Sequence, residues 1–195
     1  MLRLSKYMAV DFSFRRKAVS TITSEIGCYA LCDLDQIPIY IGQSVDGIRA
    51  RVRRHLTSAR SDIIANRQID VWEIGWVLTY PASREEIGEL EASLFHHFNE
   101  SSTLMNGSVP RLPASSAPTP EPAQIVQVIS DAELAEKRQP SLRLPRQAAH
   151  YSQIIGHFLA VKNSKEIARA MQAHFERLAK YQRQLLGLAD PSADE

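Results

Sequence analysis

Six polar side chains stand out by type and spacing. Tyr29 and Tyr40 lie eleven residues apart on two short β-prone runs, Gly27-Cys-Tyr-Ala-Leu-Cys32 and Ile37-Pro-Ile-Tyr-Ile-Gly42. Arg51 and His55 are four apart, about one turn of a helix, and so share a face. Glu91 falls inside an apolar helical stripe of Ile87, Leu90, Leu94 and Phe98. A carboxylate there is costly unless a cation, an arginine or a metal compensates its charge. The plainer reading sets it on the border of the stripe, reaching solvent. Asn106 stands in Leu-Met-Asn-Gly107, an ordinary turn sequence. Around Arg51, the stretch from Gly47 to Arg60 carries Arg49, Arg53, Arg54 and Arg60 with no acidic residue. A chain of net charge +1 can therefore still present a basic surface to phosphates.

Bringing these groups together requires particular elements. The two tyrosine runs flank Asp33-Leu-Asp-Gln36, the pattern of a β-hairpin. With Leu34 and Asp35 as its loop, Tyr29 stands opposite Tyr40 and both phenols share one face. Leu-Asp is a poor type I′ pair, so this register is conditional, and a slip of one residue sends one tyrosine to the other face. Gly47 to Ala59 reads as a helix. From Val71 to Tyr80, Trp72, Ile74, Trp76, Leu78 and Tyr80 alternate with their neighbours as one apolar face, a third strand. Ser83-Arg-Glu-Glu86 is a capping box that opens the helix carrying Glu91.

The chain has 195 residues, 44% of them hydrophobic and 23% charged, with 23 Lys plus Arg against 22 Asp plus Glu. Bulk disorder, collagen and disulfide scaffolds are excluded. No run approaches the ~18 apolar residues of a membrane span, and the start lacks a signal-peptide core, so a cytoplasmic, membrane-free protein is expected. Cys28 and Cys32 are four apart, neither a redox pair nor a zinc pattern, and read as buried free thiols. His96-His97 reads as helix surface. Residues 1–25 form a basic N-terminal extension. Residues 108–123 hold five of the ten prolines and read as a linker. A mostly helical region follows over 124–195. In it Ile125 to Ile129 is a strand or the start of a helix, and Ala148 to Val161 and Ser164 to Leu186 are helices, with Gly187 as a stop. Ile167, Met171, His174, Leu178, Tyr181 and Leu185 form a coiled-coil-like seam, too short to separate an intramolecular hairpin from a dimer contact.

Taken in order, Gly27-Cys28-Tyr29, Tyr40-Ile41-Gly42, Arg51 with His55, Glu91, and Asn106 resemble the GIY-YIG nuclease domain over residues 26–107. The second triplet is complete, whereas Cys28 stands where the family usually has Ile. The stretch from Gly42 to Arg51 is a residue longer than the family pattern, which leaves Arg49 as a rival to Arg51. Arg51 keeps the four-residue step to His55. The resemblance implies an α/β domain with a small three-stranded antiparallel sheet flanked by helices, followed by the Pro-rich linker and the helical region. It further implies an endonuclease hydrolysing DNA phosphodiester bonds with Mg²⁺ on Glu91, Mn²⁺ being able to substitute. Tyr29 would be the general base on the attacking water, with Tyr40 beside it. A phenol near pKa ~10 must be acidified by the cation or pass its proton on, and His55 is the candidate relay. Arg51 would clamp the scissile phosphate, and Asn106 would orient the site or the substrate. Arg49, Arg53, Arg54 and Arg60, with Arg15, Arg16 and Lys17, are expected to hold backbone phosphates. One such module cuts one strand, which makes the C-terminal seam a candidate homodimer contact. Residues 124–195 are otherwise a DNA anchor or a partner dock. The alternative is a non-catalytic nucleic-acid-binding or assembly protein that keeps the GIY-YIG fold. Against it, all the expected polar positions are filled.

Overall fold

The computed structural model describes residues 10–58, 61–114 and 118–188. In chain order the elements are α1 (Phe12–Ser20), β1 (Gly27–Cys32), β2 (Pro38–Ser44), α2 (Ile48–Thr57), α3 (Asp62–Ala65), a 3₁₀ turn (Val71–Glu73), β3 (Trp76–Pro81), α4 (Ile87–Ser101), β4 (Gln124–Gln127), α5 (Asp131–Lys137), α6 (Pro140–Ala160) and α7 (Lys165–Leu186). The strands form one antiparallel sheet in the order β2-β1-β3-β4. The three-stranded sheet expected from the sequence is thus corrected to four strands. The Pro-rich stretch delivers the added strand: Pro110 accepts a hydrogen bond from His96 Nε2 at 3.1 Å, and the Ala123 N–H donates to Thr79 O at 2.8 Å. The chain then runs into β4, pairing Gln124 with Thr79 through Gln127 with Trp76.

β1 is one of the two inner strands and is buried on both faces. On one face Tyr29 and Leu31 join Val19, Ile48, Val52, Leu56, Ile63 and Val77, roofed by α1, α2 and α3. On the other, Cys28, Ala30 and Cys32 pack with Ile41 and Leu78 beneath Ile87, Leu94 and Phe95 of α4. α4 opens with the reciprocal bonds of a capping box, Glu86 N–H to Ser83 Oγ at 3.3 Å and Ser83 N–H to Glu86 Oε2 at 3.4 Å.

The hairpin register differs from expectation. Tyr29 pairs with Gly42 and Leu31 with Tyr40, with an irregularity after Leu31. The cause lies in the loop, where the Asp33 carboxylate accepts the Asp35 and Ile37 N–H groups, each at 2.9 Å, and Gln36 takes a positive φ of 64°. The offset is two residues, so both tyrosines still share a face. Gly42 makes room for the first of them. A Cβ there would stand 2.4 Å from Tyr29 Oη and 2.6 Å from its Cζ, so only glycine lets that phenol lie across β2.

Two further expectations are corrected. The third strand begins at Trp76 rather than Val71, because Asp70 accepts the Trp72 N–H at 3.1 Å and the chain makes a 3₁₀ turn there. The carbonyls of that turn are held by Arg15, which donates to Val71 O and Ile74 O at 2.8 Å each. Arg15 is therefore fully buried and has no exposed face for a phosphate.

α6 and α7 form an antiparallel hairpin against the α2–α3 side of the sheet, and Ala173 of α7 enters that core. Most of the seam is used inside the chain: Ile167, His174 and Tyr181 are buried, whereas Leu185 is exposed. Beneath the hairpin, Arg143 and Arg177 meet Asp33, Asp35, Glu73 and Tyr181 in a buried ionic cluster. Among the described residues no helix is long and apolar enough to cross a membrane.

Candidate active site

The tyrosine face of the sheet and the last turn of α2 meet at Tyr29. Its Oη lies 2.7 Å from His55 Nε2, and His55 Nδ1 lies 2.6 Å from Ser61 Oγ. Tyr40 stands alongside, its ring centroid 6.4 Å from that of Tyr29 and 6.1 Å, edge-on, from that of His55. Burial pushes the Tyr29 phenol well above its ordinary value, and the neighbouring Tyr40 and Glu91 add to the effect. The charge and polar contact of Arg51 pull the other way without overcoming it. At neutral pH the phenol keeps its proton.

Arg51 sits one turn before His55 on α2, and its Nε is buried with no hydrogen-bond partner. A donor so placed is costly unless a ligand supplies the acceptor. Arg51 also borders an open groove of about 490 Å³ lined with Gln43, Ser44, Val45, Asp46, Ala50 and Arg54. Its rival Arg49 is engaged elsewhere, donating through Nε to Ile22 O at 2.5 Å. Arg53 and Arg54 are exposed on α2, while Arg60 lies outside the described residues.

Glu91 reaches from α4 to the edge strand β2, where Gln43 Nε2 donates to its Oε2 at 3.0 Å. It is half-buried, between the two positions weighed from the sequence. Burial raises its carboxyl above the ordinary value, and the Gln43 amide draws it part of the way back. Among the described residues no arginine or lysine pairs with it. The described residues also hold no group of three or more His, Cys, Asp and Glu that could bind a metal. One carboxylate with open surroundings suits a hard cation that keeps most of its waters and takes phosphate oxygens from the substrate.

Asn106 is turned to the protein. Its Oδ1 accepts the Ile41 N–H at 3.0 Å and its Nδ2 donates to Ile41 O at 2.7 Å, while the Met105 N–H donates to Ile39 O at 2.7 Å. The 104–106 segment thereby closes the free edge of β2 between Tyr40 and Gly42. Asn106 is a positioning residue here, its amide oxygen and one amide N–H spent on the Ile41 peptide. Arg169 of α7 secures the same segment, donating to Asn106 O at 3.1 Å and to Asn99 Oδ1 at 2.6 Å. Asn106→Ala strips both bonds from the Ile41 peptide and is expected to cost about 1–3 kcal/mol. Urea unfolding measures it, and an unchanged midpoint would show that the clip is dispensable.

Ser61, Gln43 and Arg169 were not singled out from the sequence. No motif marks them, since each meets the site only through tertiary packing.

Two adjacent phenols, an Arg–His helix on their face and one half-buried carboxylate across the sheet edge make up a nuclease-type catalytic domain. Residues 25–106 match the family model of the GIY-YIG catalytic domain, a little over two fifths of the chain. No curated protein and no solved structure matches the chain.

Proposed function

We propose that the protein is an Mg²⁺-dependent endonuclease that hydrolyses DNA phosphodiester bonds. The observation that carries this reading is the buried, unpartnered Nε of Arg51 beside the Tyr29–His55 pair. A phosphate oxygen in the groove supplies the missing acceptor, and the rigid guanidinium fork suits a phosphate better than an ammonium would. Glu91 would hold Mg²⁺ or Mn²⁺, and the bound ion would supply neutralisation of charge building on the phosphate. Tyr29 takes the proton of the attacking water as it passes its own to His55 Nε2 at 2.7 Å, so a phenol that stays protonated at rest can still serve as base. Tyr40 walls the pocket beside it. Arg53 and Arg54, with Arg16 and Lys17 exposed on the neighbouring α1, track backbone phosphates, which makes binding weaken steeply with salt. Double-strand cleavage calls for a second protomer; a homodimer through the C-terminal helices would use Phe175, Leu185 and Leu186, which α7 leaves exposed.

The test is supercoiled plasmid incubated with Mg²⁺ or with EDTA. Nicking is expected only with Mg²⁺, and Tyr29→Phe is expected to lower kcat by roughly 10²- to 10⁴-fold. A wild-type protein that retards DNA in a gel yet leaves plasmid, single strands and branched DNA intact with Mg²⁺ and with Mn²⁺ overturns the reading. The GIY-YIG fold would then serve nucleic-acid binding or assembly.

A further inference from the structure

We infer that Ser61 is a positioning residue of this site: its hydroxyl accepts the Nδ1–H of His55 and thereby keeps His55 Nε2 unprotonated and facing the Tyr29 phenol. The catalytic consequence rests on the nuclease reading above, whereas the tautomer rests on geometry alone.

The His55 ring bridges two hydroxyls, Tyr29 Oη at 2.7 Å from Nε2 and Ser61 Oγ at 2.6 Å from Nδ1. In a neutral imidazole one nitrogen donates and the other accepts. The phenol shows which. Tyr29 keeps its proton at neutral pH, and the cation beside its oxygen, Arg51, offers no acceptor, so the phenolic O–H points at Nε2. The ring proton then sits on Nδ1, where Ser61 Oγ receives it.

Ser61 is built to hold still. It is fully buried, and its carbonyl accepts the Ile64 N–H at 3.1 Å and the Ala65 N–H at 2.8 Å, which opens α3. Ile63 of α3 is anchored in the same core as Tyr29 and Val52. A hydroxyl carried on that frame cannot follow the ring if it turns.

The arrangement balances the proton transfer. An O–H bond of water breaks and one forms on Tyr29; the former phenolic proton forms an N–H bond at Nε2; the electron pair of the water forms a bond to phosphorus as the bond from phosphorus to the leaving oxygen breaks, and that oxygen departs with the pair and takes a proton from solvent. His55 is then an imidazolium, and its Nδ1–H bond to Ser61 becomes charge-assisted and stronger. An imidazole turned over, with its proton on Nε2, could not receive that proton at all. The position of a catalytic imidazole's second nitrogen is commonly fixed this way.

The test is long-range ¹H–¹⁵N spectroscopy on histidine-labelled full-length protein, with His55 assigned from the signals lost in His55→Gln. His55 is expected as the Nδ1–H tautomer in the wild type and as a mixture or the other tautomer in Ser61→Ala. Plasmid nicking by Ser61→Ala is expected to lose roughly 10- to 100-fold in kcat with KM for DNA little changed, and Ser61→Thr, which keeps the hydroxyl, to recover most of it. A wild-type His55 protonated on Nε2, or an unchanged tautomer in Ser61→Ala, overturns the inference. Should Ser61→Ala fail to fold, the wild-type spectrum decides. A wild type that never cuts DNA removes the nuclease reading, and the spectra still settle what Ser61 does to the ring.

Discussion

Glu91→Gln is expected to give a folded protein that binds DNA and does not cut it, with kcat down by about 10³-fold or more, the worth of several kcal/mol of charge stabilisation at the phosphate. The substitution keeps shape and removes charge alone, and its remaining amide oxygen can still accept from Gln43. The position on α4 explains why folding survives. Ile87, Leu94 and Phe95 on the same helix are buried, Glu91 is half-buried among them, and no cationic side chain among the described residues offsets it. Its carboxyl is raised in the folded state, so in metal-free protein its contribution to stability is present at low pH and lost as pH rises through that raised value. Glu91→Gln removes the loss. The metal-free variant is therefore expected to melt at neutral pH no lower than the wild type, and to show no rise in Tm when Mg²⁺ is added. Plasmid nicking, gel retardation and thermal melts with and without Mg²⁺ separate the effects. Wild-type nicking by Glu91→Gln would remove Glu91 from the chemistry.

What could be read ahead of the structure was what short-range spacing encodes. Arg51 and His55 share a helix face because four residues make about one turn, and both tyrosines share a sheet face because the hairpin shift was even. Loop chemistry escaped, since Asp33 closes its turn on two N–H groups and no dipeptide propensity records that. β4 was ambiguous because a short apolar run after a proline tract has no period of its own; its strand character comes from the free edge of β3. Arg15 read as a phosphate contact because composition sees charge and not burial, whereas its guanidinium satisfies the carbonyls of the 3₁₀ turn. α6 begins at Pro140, eight residues before the helix read from periodicity: Pro140 fits the helix start, whereas Pro145 reads as a break in sequence although the helix continues through it. Asn106 was found by its neighbours in the chain, but its task, clipping Ile41, was legible only once β2 proved to be an edge.

Arg143→Met is expected to be the most damaging single change to stability, about 3–5 kcal/mol by urea unfolding, because it strands the buried Glu73 carboxylate, which among the described residues has no other ion-pair partner. Arg143 Nε and Nη2 donate to Glu73 Oε1 at 2.9 and 2.5 Å, Nη1 to Asp35 at 2.5 Å, and Nη2 also to Asp33 at 3.3 Å and to Tyr181 Oη at 3.1 Å. Its guanidinium also lies 4.1 Å from the centre of the Tyr181 ring. Arg177 bonds Asp33 and acts on Glu73 only through its charge, without a direct bond, leaving Glu73 2% exposed with a second oxygen that has no partner. Burial already raises the Glu73 carboxyl, and losing Arg143 raises it further. The sign follows: the variant's deficit grows as pH rises through that value and narrows as pH falls toward the carboxylate range. Adding Glu73→Gln to Arg143→Met removes the stranded charge and is expected to recover part of the loss, a coupling that a double-mutant cycle reads directly. The damage is also expected to reach the chemistry. Arg143 ties α6 to the sheet, α6 packs on α7, and α7 carries the Arg169 that secures Asn106 against β2. A variant that loses less than about 1 kcal/mol would show that the buried cluster is replaceable by simple packing, as some buried ion pairs are.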